Sequence, residues 1–442
     1  MLLSLIEFFV LFLIITISYF NAKNFFFCFV YSFSVFGQFF LFKIGNVFTP
    51  TVFNLVLISI LLIFVLSKYV HKYAKYFFVY IIIYIIYFSF LFVVNRIGLW
   101  ENLILYKNFF VLSLFAILLI ENIKQGKVDP KILIRTFVCI LFLESCLGIL
   151  QYVYPPVTEF FQISYEWGNK EVGLTVEKQL SKFDIYVLGT FLVPSAYAGY
   201  LMISLISLLF LDIVKVIQLN RNYFIVIVLG TLALLFTGIR SPFLIYLISV
   251  LYFLYVRYKK IFFPIVTFLL ILLISNIAFL NNLENVGSLE NPVERIVSGF
   301  AIFSGDYSKL EGSTFVLVIM MIPYIMQNPL LGVGLHNKSG YTLLGRGITL
   351  EDLSTTDSQL FFTIAEIGLV GLFICFFSFF YVSRNMKDPY IRKQLYRLFA
   401  ISLLLTLIDM GVFSLNIMLT IYMIFSLIVT HKHWCCNINE LK

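Results

Sequence analysis

Charge is what this 442-residue sequence holds least of: Asp, Glu, Lys and Arg make up 12% of it, about half the share found in soluble domains. That scarcity excludes an ordinary water-soluble fold. With 61% apolar residues the chain carries more hydrophobic surface than one core can bury, because single cores stop growing near ~250–300 residues. Cysteine is sparse and badly placed for cross-linking. Cys28, Cys139, Cys146 and Cys375 fall inside apolar runs and Cys435 and Cys436 in the tail, so neither a disulfide framework nor a metal-ligand spacing can be read. No acidic cluster resembles a metal cage, and no metal or other cofactor is expected. Met1–Phe20 lacks a basic flank and a small-residue cleavage site, so it reads as a retained first span and not as a removable leader. There is no internal repeat of the kind that transporters built from two halves display.

What is present is a succession of apolar runs. A helix needs about 20 mostly apolar residues to cross the hydrocarbon core of a bilayer. Runs of that kind fall at 2–20, 24–42, 51–67, 76–94, 103–120, 132–152, 188–211, 222–238, 242–256, 261–280, 358–382, 396–413 and 415–430. The expected fold is all-α: a polytopic transmembrane helical bundle of about 12–14 spans, with lipid as its solvent.

The net charge of +8 carries no nucleic-acid signal in such a chain; what counts is where the cations sit. Dense clusters occur at Arg384–Arg397, Arg257–Lys260, Lys68–Lys75, Lys124–Lys131 and Lys215–Arg221, and the spans above place all five on one side. With Lys23, Lys432 and Lys442 they bring nineteen of the 31 basic residues to that side and leave ten on the other. The crowded side is cytoplasmic by the positive-inside rule. Two long polar segments, 153–187 and 281–357, then face outward. The chain divides into N-terminal helices (1–152), a first outer segment (153–187), core helices (188–280), a large outer loop (281–357), and C-terminal helices with a cytoplasmic tail (358–442). The apolar stretch Thr314–Met326, broken by Pro323, is too short to cross and suits an interfacial or re-entrant helix.

Three stretches carry polar groups able to do chemistry. Arg240, in Thr237-Gly-Ile-Arg-Ser241, lies in a very short outward turn. It either snorkels to the interface or uses its planar, permanently charged fork on a phosphate-bearing head group. The run Asn328-Pro-Leu-Leu-Gly-Val-Gly-Leu-His-Asn-Lys338 has two glycines straddling Val333, a pattern expected to expose backbone N–H groups. With Arg295 upstream and Arg346 downstream, such a loop could hold an anion, although Gly-x-Gly alone is a weak signal. The third stretch begins at Thr356-Asp357-Ser358 and runs through Glu366 to Gly368-Leu-Val-Gly371. Nine residues of helix separate Asp357 from Glu366 by roughly 13 Å, which rules out a paired couple. Asp357 reads as a helix cap, a base, or both. Glu366, inside a span, must be paired or line a cavity.

Taken in order, these stretches resemble the O-antigen ligase and polymerase superfamily over about residues 185–372. Gly189-Thr-Phe191 with Pro194 is similar to the family's Gly-Thr-Phe-x-x-Pro-Asn start of a span. Thr237-Gly-Ile-Arg240-Ser241 is similar to its Ser-Arg-Gly turn, and Pro329–Gly334 to its outer-loop motif. Asp357-Ser358, nine residues and Gly368-x-x-Gly371 have the spacing of the ligase motif His-Asn/Ser/Gln-x9-Gly-x-x-Gly. The resemblance implies a periplasm-facing glycosyltransferase of the bacterial inner membrane. Its substrates would be undecaprenyl-pyrophosphate glycans, donor and acceptor, with a Wzz-type chain-length regulator as a possible partner. It also implies that Arg240 and Arg295 grip the donor's pyrophosphate, with Lys338 and Arg346 nearby. Where the ligases have a histidine this chain has Asp357, a departure that favours a Wzy-type polymerase over a ligase. Asp357 is then the first candidate for general base and His336, the one outward-facing histidine, the second. An exposed aspartate, with a pKa of about 3.9, is a poor base, and burial at the interface would raise it. A ligase and a repeat-unit flippase stand as rival readings, the latter because Lys107 and Arg135 lie within spans.

Overall fold

The computed structural model describes residues 2–44, 59–67, 82–91, 99–161, 187–191, 194–258, 322–333 without 324, 341–343, 346–348, 359–384, 388–406 and 415–439, besides a few single positions. Ten long helices account for most of them: α1 (Leu2–Asn21), α2 (Lys23–Ile44), α3 (Leu99–Lys124), α4 (Pro130–Val153), α5 (Pro194–Ile213), α6 (Arg221–Phe236), α7 (Arg240–Arg257), α8 (Gln359–Arg384), α9 (Pro389–Thr406) and α10 (Leu415–Asn439). Each coincides with an apolar run within a few residues at most ends. Among the described residues, Pro130–Val153 and Pro194–Ile213 are long and apolar enough to cross a bilayer.

Two departures from expectation stand out. The large loop holds an antiparallel ribbon, β1 (Tyr341–Leu343) with β2 (Arg346–Ile348), in which Leu343 pairs with Arg346. Among the described residues the fold is all-helical apart from this short ribbon. The two-residue connection Leu344-Gly345 provides the reason, since a glycine in such a link favours a tight hairpin. The second departure lies at residues 188–193, expected as the start of a span. They form a turn at 188–191, and helix begins only at Pro194, a residue suited to a helix's first turn. Of the expected interfacial helix 314–326, helical residues occur between 322 and 327; the rest lies outside the described residues.

The helices sort into two compact units. The first contains 1–9, 27–52 and 130–311; the second contains 10–26, 53–129 and 312–442. Each is built around a helix buried on every side. In the first it is α5, whose residues from Tyr197 to Ile213 are all buried, with α7 and α6 packed against it and α6 packed on α4. In the second it is α10, buried from Ile417 to Val429, with α3 and α9 against it and α8 against α9 and α3. A helix apolar all round belongs in a protein core or in lipid, and these two take the core. Hydroxyls within these helices bond to the carbonyl one turn back: Ser145 to Leu141 (2.6 Å), Thr231 to Ile227 (2.7 Å), Ser249 to Ile245 (2.9 Å) and Thr430 to Ser426 (2.8 Å). That arrangement removes the cost of an unpaired hydroxyl away from water.

Ends of elements show which turns share a face. In the second unit the Asp129 N–H donates to Asn24 Oδ1 at 2.8 Å, so the α1–α2 junction meets the α3–α4 turn. Lys23 lies there with its ammonium 4.5 Å over the Tyr19 ring. Burial, and then the charge of Lys127, hold that ammonium below the usual lysine range. Both junctions carry lysines that the charge count assigns to one side.

Candidate functional site

The first unit brings two turns to one end. α6 stops at Phe236, where Thr237 caps it, and the Thr237 hydroxyl donates to Leu234 O at 2.7 Å. Gly238 follows with φ 65°, its N–H bonded to Leu235 O at 3.1 Å. A side chain would be strained there. α7 then starts at Arg240, with Ile239 in the cap position giving no side-chain hydrogen bond. An apolar cap and a cation at the first helical residue are both unfavourable for a helix, whose N-terminus prefers an accepting side chain and negative charge. What disfavours the helix favours an anion: the first residue is an arginine, and no cap side chain satisfies the N–H groups of this N-terminus.

The second turn is residues 188–191, held by α4. Gln151 Oε1 accepts from the Leu188 N–H (2.9 Å) and the Gly189 N–H (2.8 Å), and its Nε2 donates to Gly189 O (3.0 Å). Two turns back along α4, the buried Glu144 carboxylate accepts the Thr190 N–H at 3.2 Å and is bonded to the Thr190 hydroxyl. Tyr197, on α5, donates to Glu144 O at 2.7 Å. Gly189 has φ 56°, and a Cβ added to it would lie 2.4 Å from the Tyr197 ring and 2.5 Å from Glu144 Oε2. Only glycine fits.

These two turns lie at the same end because α5 and α7 run parallel. Asp212, near the end of α5, accepts from Arg257 Nε, at the end of α7, at 3.0 Å. With those ends together, the starts of two helices of similar length (20 and 18 residues) are together too.

The second unit joins the other two motifs by backbone alone. α8 is broken at Gly368, whose φ of 68° and ψ of 177° interrupt the helix. The segment 328–333 straps across the break. The Val333 N–H donates to Ala365 O (2.7 Å), while the N–H groups of Leu369 and Val370 donate to the carbonyls of Pro329 (3.0 Å) and Leu330 (3.1 Å). Tyr87 donates its hydroxyl to Ile367 O. Gly332, φ 72°, faces the break so closely that a Cβ on it would lie 2.3 Å from Glu366 O; one on Gly368 would lie 2.1 Å from Leu330 O. Of the backbone donors expected to be open to an anion, the described ones are taken up internally: Leu331 N–H by Asn328 Oδ1 (3.2 Å), Gly332 N–H by Asn328 O (2.8 Å), Val333 N–H by Ala365; Gly334–Lys338 lie outside the described residues. The glycines serve close approach of two backbone segments. Glu366 lies fully buried beside the break.

Residues 225–377 match the family model described as O-antigen ligase. The match covers about a third of the chain and supports its likeness to the O-antigen ligase and polymerase superfamily. No curated protein matches the chain. The family match supports a role in O-antigen and related surface-polysaccharide assembly, for a helical membrane protein resembling a glycosyltransferase. The matched span takes in the Arg240 turn, the 328–333 strap and the broken helix; the Gly189 turn lies outside it.

Of the residues singled out from sequence, Arg240 begins α7 and Arg346 lies in β2. Asp357, His336, Lys338 and Arg295 lie outside the described residues. Glu144, Gln151 and Tyr152 were missed. Glu144 and Gln151 are fully buried polar side chains within a helix long enough to span a bilayer, and an intramembrane acid is itself a signal of function. The apolar run around them masked it.

Proposed function

We propose that this protein is a polymerase that joins polyprenyl-pyrophosphate-linked oligosaccharide repeat units, working at the periplasmic face of the bacterial inner membrane as a multi-pass protein. The observation that carries this reading is Arg240 at the first residue of α7, beside an N-terminus without a side-chain cap. A diphosphate offers both what they lack. The donor is the growing glycan on its lipid pyrophosphate and the acceptor a single lipid-linked unit. The acceptor hydroxyl oxygen attacks the anomeric carbon, whose bond to the phosphate oxygen breaks with both electrons leaving on the pyrophosphate. The hydroxyl proton passes to Asp357, with His336 the second candidate. Single displacement inverts the anomeric centre. Arg240 and Arg295, supported by Lys338 and Arg346, stabilise the charge that develops on the departing diphosphate, which is the main electrostatic task of the step. Pyrophosphate is a good enough leaving group for cations of the protein to serve without a metal.

Arg240→Ala should abolish polymer while the protein remains in the membrane, and Arg240→Lys should retain only part of the activity because the bidentate fork is lost. Normal polymer in Arg240→Ala would remove the pyrophosphate role. The family description favours a second reading, a ligase that transfers finished polymer to the lipid A core. A deletion strain separates them: loss of a polymerase leaves single units on the core, and loss of a ligase leaves none.

A further inference from the structure

The 188–191 turn and the Arg240 turn are both held by one end of α4. Gln151 binds the first turn through three hydrogen bonds. Its neighbour Tyr152 stacks on Phe236, ring centroids 4.0 Å apart and planes 9° from parallel. Phe236 is the last residue of α6, four residues before Arg240. Gly230, farther down α6, lets the two helices approach: a Cβ there would come within 3.3 Å of Ser145 Oγ on α4 and 2.8 Å of Leu205 on α5. Glu144 completes the hold on Thr190. A buried carboxylate and a buried carboxamide inside an apolar helix are costly and are kept where they do something. Here every bond they make with the turn is to its backbone or to Thr190, so they accept no ligand themselves. They fix the start of α5 and, through Tyr152 and Phe236, the start of α7.

We propose that Glu144, Gln151 and Tyr152 are positioning residues, which set the Arg240 turn relative to the 188–191 turn so that the arginine meets the diphosphate of a lipid-linked donor. This rests on the pyrophosphate role given to Arg240 above. The chemistry of the clasp makes a discriminating demand. Glutamine at 144 would keep both bonds, its carbonyl accepting the Thr190 N–H and its amide donating to Thr190 Oγ, so negative charge at this position is dispensable. Phenylalanine at 152 would keep the stack.

The test uses membrane vesicles holding the full-length protein, supplied with lipid-linked repeat units extracted from the same cells, with polymer formed measured against donor concentration. Gln151→Ala and Tyr152→Ala should raise the apparent KM for donor about tenfold or more with little change in kcat, as expected when a binding group is displaced and not removed. Glu144→Gln and Tyr152→Phe should behave as wild type. Where an alanine variant fails to accumulate, Tyr152→Leu, which keeps an apolar side chain against Phe236 but no ring, carries the measurement. An unchanged donor KM in variants present at wild-type levels would overturn the proposal, as would a Glu144→Gln variant with the donor KM raised as in Gln151→Ala. Arg240→Ala is run alongside. If that variant polymerises normally, the diphosphate reading itself falls; if it is inactive while the α4 variants keep the wild-type KM, only the positioning role falls.

Discussion

Replacing Gly368 with alanine tests whether the two glycine motifs of the second unit form one object. At φ 68° and ψ 177° the residue occupies a region of backbone space that is essentially reserved for glycine, and holding alanine there costs about 1–3 kcal/mol. The new methyl would also lie 2.1 Å from Leu330 O, so the 328–333 strap must withdraw. Withdrawal breaks the bonds from Leu369 N–H to Pro329 O and from Val370 N–H to Leu330 O. Each orphaned donor left without a new partner costs about 1–3 kcal/mol. Together the penalty is on the order of 5 kcal/mol, a large fraction of the stability of any protein. Gly126 supplies the control. It too has a left-handed φ, 67°, but a Cβ there meets nothing within 4 Å, so Gly126→Ala should cost only about 1–2 kcal/mol. Membrane abundance and thermal unfolding in detergent, measured side by side, should show Gly126→Ala near wild type and Gly368→Ala severely depleted. Equal behaviour of the two variants would refute the argument that strap and break are locked backbone to backbone.

Asp212→Ala should destabilise the first unit by about 2 kcal/mol, because the buried carboxylate accepts from both Leu219 N–H and Arg257; an unfolding midpoint equal to wild type would count against the latch. Arg257→Ala should cost less, since its side chain is 36% exposed and half-solvated pairs contribute little. Lys215 adopts a left-handed φ of 64° at the end of α5, so Lys215→Gly should leave stability unchanged or raise it by about 0.5–1 kcal/mol, and a clear fall in melting temperature would contradict that. Asp357→Asn should stop polymer formation without altering membrane levels, and Asp357→Glu should retain a fraction; a fully active Asn variant would pass the base role to His336.

Sequence reasoning reached the helices because hydropathy and charge report where a chain can enter lipid. The run 24–42 became Lys23–Ile44 and the run 242–256 became Arg240–Arg257. The Arg240 turn was also legible, since Thr-Gly before an arginine between two apolar runs leaves room for nothing longer. Hydropathy does not see dihedral angles, however. The 358–382 run reads as one helix, and its break at Gly368 depends on a strap that starts 40 residues earlier. Nor does an apolar average reveal a single acid. Glu144 sits within Leu143-Glu-Ser-Cys146, where a count over 20 residues absorbs it, and its partner Thr190 is 46 residues away.

The strap explains why the spacing Gly368-x-x-Gly371 goes with a Pro-Leu-Leu-Gly-Val-Gly loop at all. A broken helix exposes carbonyls on one side of the break and N–H groups on the other, and both need partners. Ala365 O is met by Val333, Ile367 O by Tyr87, and the N–H groups of Leu369 and Val370 by Pro329 and Leu330. Approach that close requires glycine on both faces, at 332 and 368. Gly371 gives the Ile367 side chain room, since a Cβ there would fall 2.8 Å from Ile367 Cβ. Asp357 and His336 each stand within a dozen residues of this lock, on the two chain segments it joins. The described backbone donors of the lock bond within it, so the anion of the proposed function is left to charged side chains. In this chain that returns the argument to Arg240, whose helix begins without a side-chain cap.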